Sequence, residues 1–353
     1  MSVFVSQFFA KKVNEMDSSK SDMKSKLRPS TTSTKATRTK DKNTPTLQQL
    51  ISQDGQHVIG DVSHLLDWAV LGFPKCGTTT LLGYLDTETS HGLQHERCEL
   101  AHHGEDAVVD VVKSLYEELP QENNMKHGLK CPGGISTRYL HRMTEFFYKT
   151  KIIIGLRHPV LWFQSYYNYR IEHKYDMPPP QDLLKSQVNG VSVARSRFHE
   201  NLAYLGKTPL ISKEERSLLS LNDEDDVKRF RQKVSQTPHK LFVYEIGQVA
   251  DVNVTRSDIF RNDLGEFVGI RDLGQMIHKN AAEDRDPELK AKEIDICDDT
   301  HAGVRRELMV NAKDASRWIR TFFLDSDDVH YSSRDFLEQA LAKWEVDPCV
   351  SRR

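Results

Sequence analysis

Short apolar runs alternate with amphipathic stretches along most of this chain. Three runs carry apolar residues without a helical period and predict buried strands, over residues 68–73, 151–156 and 240–245. Apolar side chains recur at the spacing of an amphipathic helix over residues 78–85, 105–119, 135–148, 159–169, 195–205, 213–234, 304–323 and 334–344. Strands separated by helices predict the fold class α/β, with a doubly wound, mainly parallel sheet and helices on both faces.

The first part of the chain lacks this pattern. Residues 13–45 hold Ser, Thr, Lys, Asp, Asn and Pro with almost no large apolar side chains. Such a segment cannot bury enough apolar surface to offset the entropy lost on ordering. We therefore expect a disordered Ser/Thr/Lys-rich tail over residues 1–46 and a single folded domain over residues 47–349.

Composition narrows the class of protein without identifying it. Of the 353 residues, 38% are hydrophobic and 28% are charged, as in a soluble globular protein with some disordered sequence. The net charge of −2 gives no general attraction to nucleic acid or to an anionic membrane, so an anion site has to be local. No stretch approaches the roughly 18–20 apolar residues that span a bilayer.

The sequence leaves the cellular compartment open. Residues 1–10 lack the charged-then-apolar order of a secretory signal, while the Ser/Thr/Lys/Arg-rich stretch after them is compatible with a transit peptide. The cysteines, too few and too scattered for a disulfide framework, are Cys76, Cys98, Cys131, Cys297 and Cys349. One bridge between Cys297 and Cys349 is an option, and three free thiols would then remain.

The turn after the first predicted strand has the composition of a phosphate-binding loop. A strand, a glycine-bearing loop and a helix in succession aim backbone N–H groups and the positive helix end at an anion. Lys75 supplies a mobile cation, Gly77 permits an unusual backbone conformation, and the hydroxyls of Thr78 and Thr79 can cap the helix. The lysine precedes the second glycine, whereas in the ordinary nucleoside-triphosphate loop it follows that glycine.

A second predicted strand also ends in an anion-binding arrangement. Arg157-His158-Pro159 follows the strand at 151–156, and Ser165 lies eight residues beyond the arginine on a predicted helix. This spacing allows a guanidinium fork and a helix hydroxyl to converge on one phosphate.

A polar stretch at 86–104, expected to be a variable loop, holds the candidate bases. Its carboxylates include Glu96 and Glu99, and histidines follow at 102 and 103. A transition-metal site is an alternative, with ligands drawn from His91, His95, Cys98, His102 and His103. The spacings of these residues match no compact structural zinc finger.

The two anion-binding turns together resemble those of sulfotransferases that use 3′-phosphoadenosine 5′-phosphosulfate. The segment 73–81, Phe-Pro-Lys-Cys-Gly-Thr-Thr-Thr-Leu, resembles the family's 5′-phosphosulfate loop, and Arg157-x-Pro with Ser165 resembles its 3′-phosphate motif. The resemblance covers residues 66–270, with a helical C-terminal part at 295–349 beyond it. It implies a P-loop-like fold and this donor as co-substrate, held by Lys75, Cys76, Gly77, Thr78, Thr79, Thr80, Arg157 and Ser165.

The resemblance also implies catalytic roles. In the Golgi-type carbohydrate branch, which includes enzymes acting on heparan sulfate, a glutamate 22–28 residues beyond the loop lysine takes the acceptor proton. Glu99 matches that position, with Glu96 as its competitor and His102 or His103 as substitutes. Lys75 is then expected to neutralise charge on the departing phosphate. The reaction needs no metal, so none is expected.

Lys130 completes the implied catalytic set. It lies in Gly-Leu-Lys-Cys-Pro, within a turn-rich junction predicted at 128–134, and resembles the lysine that orients the sulfonate. Phenol- and steroid-type relatives carry a histidine base at the position of Pro132, which favours the carbohydrate branch. A carbohydrate acceptor and a Golgi location follow by family analogy alone.

Two other functions are compatible with the sequence. A nucleotide or small-molecule kinase would share the loop architecture, require Mg²⁺ and use an acidic strand end such as Glu245. A non-catalytic homologue would keep the nucleotide pocket without turnover, because histidines replace the aromatic pair expected near Glu99.

Overall fold

The computed structural model describes residues 45–120, 125–205, 215, 219–221, 223–232, 238–271, 273–274 and 286–350. The predicted tail at 1–46 lies outside the described residues except for its last two positions. Part of the predicted charged helix at 213–234 also lies outside them.

The strands of the described residues are β1 (Trp68–Gly72), β2 (Ser90–Glu96), β3 (Lys126–Cys131), β4 (Lys151–Leu156), β5 (Leu241–Glu245) and β6 (Val329–His330). The α-helices are α1 (Leu47–Leu50), α2 (Thr78–Leu85), α3 (Asp106–Glu118), α4 (Thr137–Phe146), α5 (Pro159–Glu172), α6 (Phe198–Leu202), α7 (Glu224–Arg231), α8 (Ile246–Val249), α9 (Val254–Val268), α10 (Pro287–Lys290), α11 (Ala302–Trp318) and α12 (Arg334–Lys343). A π-helical turn, Ile319–Phe323, extends α11. Short 3₁₀ turns occupy Ser63–Leu65, Glu99–Ala101, Pro180–Leu184, Ala194–Ser196, Ala203–Leu205 and Asp299–His301.

The six strands form one parallel sheet in the order β2-β3-β1-β4-β5-β6. The predicted doubly wound α/β class is confirmed. From β1 the chain continues to strands on one side, and from β4 it continues to β5 on the other. The direction of winding therefore reverses between β1 and β4, and ligands of such sheets bind at the carboxyl ends of the strands beside this point.

Helices cover both faces of the sheet. Trp68 and Val70 pack on one face in a cluster that includes residues of α2 and α9, whereas Ala69 and Leu71 belong to a larger cluster on the other face. Alternate side chains of a strand point to opposite faces. A short strand of apolar residues is therefore buried on both sides.

Two strands replace predicted irregular segments. β2 lies within the expected loop at 86–104, and β3 covers the first four residues of the expected junction at 128–134, so those parts of both predictions are wrong. The glycine of β3, which suggested a turn, is required for packing: a Cβ on Gly128 would lie 2.1 Å from the Trp68 ring. The Lys126 ammonium of β3 is neutralised by Asp67, whose Oδ1 lies 2.7 Å from Nζ.

The single helix predicted over 195–205 is also wrong. The chain forms a 3₁₀ turn, α6 and a second 3₁₀ turn there, and Arg197 between the first two has ψ of 67°. Buried Asn311 fixes this break, because its side-chain amide donates to the Val193 carbonyl (3.0 Å) and to Ser196 Oγ (2.8 Å). Within the described ranges, every helix is too short or too polar to cross a bilayer.

Two disulfides join four of the five cysteines. The bridge between Cys297 and Cys349 agrees with the sequence analysis, but Cys98 also bonds to Cys131. The expectation of three free thiols is therefore wrong, since only the buried Cys76 remains free. The sequence could not indicate the second bridge because it depends on β2 lying beside β3.

Candidate active site

A cleft of about 700 Å³ opens at the carboxyl ends of β1 and β4. This volume is in the usual range for a small-molecule site. The residues predicted from the two anion-binding turns that line the cleft are Lys75, Gly77, Thr78, Thr79, Thr80, Arg157 and Ser165. The side chain of the eighth, Cys76, is buried instead, and burial raises the pKa of its thiol.

The loop after β1 is anchored by side chains that donate hydrogen bonds to its carbonyl groups. The carbonyls of residues 74–76 each accept a hydrogen bond from a side chain, the donors in order being Trp162 Nε1 (2.8 Å), Arg157 Nη1 (3.1 Å) and the Tyr244 hydroxyl (2.7 Å). A trans peptide bond places its N–H opposite its carbonyl. The following amides therefore point away from these three anchors.

The backbone of this loop has the form of an anion-binding turn. Lys75 and Gly77 have φ of 64° and 81°, and α2 then begins at Thr78 with no side-chain cap on its first turn. The first N–H groups of a helix lack intrahelical partners and favour a negative charge. A positive φ is uncommon for lysine and costs on the order of 1–3 kcal/mol, which is typical of functional turns.

The Lys75 side chain crosses the cleft towards α5. Its Nζ lies 4.2 Å from the centre of the Tyr169 ring, a distance typical of a cation–π contact. The ammonium is thus held beside the helix that carries Ser165.

Arg157 and Ser165 approach the same space from β4 and α5. Arg157 directly follows β4, and its bond to the Lys75 carbonyl links the two predicted turns. Burial lowers the pKa of this guanidinium, while Glu245 acts in the opposite direction. An arginine nevertheless remains charged in proteins, so the buried cation favours an anionic ligand.

Lys130 lies beneath the cleft at the end of β3. It is only 5% exposed, and its Nζ donates to Thr79 Oγ1 at 2.9 Å. The same ammonium lies 3.2 Å from Glu96 Oε1. Lys130 thereby connects the loop after β1 to a carboxylate that lines the cleft.

Glu96 and Glu99 have different surroundings. The Glu96 side chain is 55% exposed and lines the cleft. Glu99 lies outside the lining, in a 3₁₀ turn, with its Oε1 3.4 Å from Arg97 Nη1 and its Oε2 buried with no hydrogen-bond partner among the described residues. His102 and His103 are exposed and do not line the cleft either.

Two arginines that line the cleft near Tyr166 were not predicted. Arg170 Nη2 donates to the Tyr166 hydroxyl at 2.8 Å, and Arg195 Nη1 donates to the Gly190 carbonyl at 2.9 Å. Helical spacing from Ser165 does not indicate Arg170, because residues on one face of a helix are three or four apart; Arg170 instead lies one turn beyond Tyr166 on α5. Arg195 had no local signal because the long connection after α5 brings it to the cleft.

Charge in the cleft is strongly unbalanced. Among the described lining residues the cations are Lys75, Arg157, Arg170 and Arg195, and the carboxylate is Glu96. Low-dielectric walls lined by one sign of charge concentrate ligands of the opposite sign. The cleft is therefore suited to a ligand with several negative charges.

The residues behind the kinase and metal-site alternatives are not assembled for those functions in the described part of the chain. Glu245 accepts a hydrogen bond from the Gly247 amide (2.6 Å) and faces a separate cavity against α12, and burial raises the pKa of its carboxyl. Within the described part of the chain, no group of three or more His, Cys, Asp or Glu residues is arranged to hold a metal ion. The proposed metal ligand Cys98 is committed to its disulfide.

Comparison with known proteins gives limited information. No family model and no curated protein matches the chain. A solved sulfotransferase from Alicyclobacillus acidocaldarius is similar at 15% sequence identity and a TM-score of 0.38, over 69% of this chain and 94% of that one. At this TM-score the similarity does not support a function for the chain.

Proposed function

We propose that this chain is a sulfotransferase that moves a sulfonate from 3′-phosphoadenosine 5′-phosphosulfate to a hydroxyl or amine, in an acceptor that is a carbohydrate. The observation that carries the proposal is the meeting of two anion-binding turns in one cleft. Arg157 bonds to the Lys75 carbonyl at 3.1 Å, and both side chains line that cleft together with Ser165.

This arrangement matches a donor that carries phosphates at the 5′ and 3′ positions of its ribose. The amides after Lys75 and the hydroxyls of Thr78 and Thr79 would hold the 5′-phosphate. Arg157 and Ser165 would hold the 3′-phosphate, because a guanidinium can bind two phosphate oxygens at once. The donor supplies an activated sulfonate, so the chain has to supply position, charge and a base.

The remaining groups are placed to assist transfer. The acceptor oxygen forms a bond to sulfur as the bond from sulfur to the bridging phosphate oxygen breaks, leaving adenosine 3′,5′-bisphosphate. We assign the acceptor proton to Glu96, which reaches the cleft, with Glu99 as the alternative base. Lys75 neutralises the charge that develops on the departing phosphate. Lys130, which we assign to orienting the sulfonate, also contacts Glu96 and Thr79.

Donor binding is tested by calorimetry with adenosine 3′,5′-bisphosphate and ATP. We expect the bisphosphate to bind and ATP to bind at least about tenfold more weakly, because ATP has no 3′-phosphate for Arg157. Arg157→Ala should weaken the bisphosphate and reduce this preference. Preference for ATP with dependence on Mg²⁺ would instead support the kinase alternative.

Two arginines of the cleft that have no proposed contact to the donor suggest a property of the acceptor. Arg170 and Arg195 line the cleft beside the Tyr166 ring and are not assigned to either phosphate of the donor, so we propose that the acceptor carries an acidic group there. Arg195→Gln should raise KM for an acidic glycan about tenfold, as loss of a charged hydrogen bond does, and leave KM for its neutral counterpart unchanged. Exposed Arg197, which does not line the cleft, provides the control Arg197→Gln.

A transfer assay with radiolabelled sulfate and paired acidic and neutral glycans, phenols and steroids measures this selectivity. Equal effects of Arg195→Gln on acidic and neutral acceptors would contradict the assignment. Binding of the bisphosphate without transfer to any acceptor would favour the non-catalytic alternative.

A further inference from the structure

The disulfide between Cys98 and Cys131 joins the segment after β2 to the end of β3, beside the proposed reaction centre. Cys131 directly follows Lys130 on β3, and Cys98 lies two residues beyond Glu96 of β2. The cleft lining includes Cys98 itself and the two residues after Cys131, Pro132 and Gly133. The bridge therefore joins the two chain segments that hold the proposed base and its lysine.

The end of β2 has little other backbone support. β2 is an edge strand of the sheet. Its pairing with β3 shifts between Gly92 and Glu96, because Gly92 lies opposite Gly128 whereas Glu96 lies opposite Lys130. A bulge interrupts the ladder locally. Beyond it, the Arg97 amide donates to the Lys130 carbonyl at 2.9 Å. Cys98, the next residue, carries the disulfide.

Leu100 is buried in the 3₁₀ turn that follows Cys98, and the contacts before that turn are weaker restraints. The Tyr139 hydroxyl donates to the Arg97 carbonyl at 3.1 Å. The Arg97 side chain pairs with Glu99 and with Glu118 of α3, the latter 45% exposed. These ion pairs join partly buried but flexible side chains, whereas the disulfide fixes the Cα atoms of its cysteines 5.2 Å apart.

We infer that the Cys98–Cys131 disulfide is a positioning element that keeps Glu96 against Lys130 at the acceptor side of the cleft. The expected effect on transfer rests on the proposed function. The expected effect on the position of the end of β2 does not. The loop after β1 and Arg157 are anchored by other residues. Loss of the bridge should therefore impair the transfer step and leave donor binding intact.

The test compares Cys98→Ala/Cys131→Ala with the matched control Cys297→Ala/Cys349→Ala, whose bridge lies outside the cleft lining. Hydrogen-exchange mass spectrometry should show faster exchange in peptides covering residues 93–101 of the first variant only. In the transfer assay, its kcat should fall about 10- to 100-fold, as misplaced catalytic groups cause. The Kd for adenosine 3′,5′-bisphosphate should stay unchanged.

A double-mutant cycle distinguishes positioning from general stability. If the disulfide acts through Glu96, adding Glu96→Gln to the Cys98→Ala/Cys131→Ala variant should reduce kcat much less than it does in the wild type. Additive effects, an unchanged kcat or unchanged exchange at 93–101 would overturn the inference. Absence of transfer by the wild type would refute the proposed function, while the exchange experiment would still decide whether the bridge holds the end of β2.

Dithiothreitol keeps the test decisive if the first variant does not fold. In Cys297→Ala/Cys349→Ala, the one remaining pair of bonded cysteines is Cys98 and Cys131. Dithiothreitol would convert that bond to two thiols and form its own cyclic disulfide. The same gain in exchange and fall in kcat are expected on reduction, and a reduced protein with neither change would overturn the inference.

Discussion

Lys75→Ala is expected to abolish measurable sulfonate transfer, with a loss in kcat of at least about 10²–10³. Two effects combine at this residue. Its ammonium lines the cleft at the loop assigned to the 5′-phosphate, so its loss leaves charge on the departing oxygen uncompensated. The second is the left-handed backbone of Lys75, which aims the adjoining amides and could shift when the side chain that contacts Tyr169 is lost.

Lys174→Ala is the control that separates loss of the ammonium from a change at a left-handed backbone position. Lys174 is an exposed lysine with φ of 60° that does not line the cleft, so the substitution changes a similar backbone without removing the proposed catalytic charge. The radiolabelled transfer assay should show wild-type kcat for Lys174→Ala. Normal turnover by Lys75→Ala would show that this lysine has been assigned the wrong role.

Glu96→Gln is expected to reduce kcat by about 10²–10⁴, the usual contribution of a general base. Glu96 reaches the cleft and contacts Lys130, whereas the Glu99 carboxylate lies outside the lining beside Arg97. The donor Kd should not change, because the proposed phosphate contacts lie elsewhere.

Glu99→Gln decides between the two carboxylates. It should cost less than Glu96→Gln, and its effect should resemble that of Glu118→Gln, which removes the other carboxylate paired with Arg97. If Glu99→Gln were the variant that lost transfer while Glu96→Gln kept it, the base would be Glu99, as the resemblance alone suggests.

The cleft also shows why the sequence located the two strand-end turns better than the proposed base. Each turn is local: one strand end, one loop and one helix start supply Lys75, the threonines, Arg157 and Ser165. Such units can be predicted from spacing because their geometry depends on neighbours in the chain. Glu96 and Glu99 are three residues apart, and a bulge and a disulfide to β3 decide which of them reaches the cleft.

The missed strands have a related cause. β3 contains lysines, a histidine and a glycine, so its composition does not indicate a buried strand. It becomes one because Asp67 neutralises Lys126, Thr79 accepts from Lys130, and the Trp68 ring occupies the space above Gly128. None of these partners is adjacent in the chain.

The sequence by itself determined the alternation of strands and helices, and with it the parallel α/β class, because burial on both faces imposes a local apolar pattern. It also located the two strand-end turns whose side chains line one cleft. Only the tertiary structure decided the strand order, the bridge from Cys98 to Cys131, the arrival of Arg195 and the exposure of Glu96. These depend on contacts between distant segments, which no local spacing encodes.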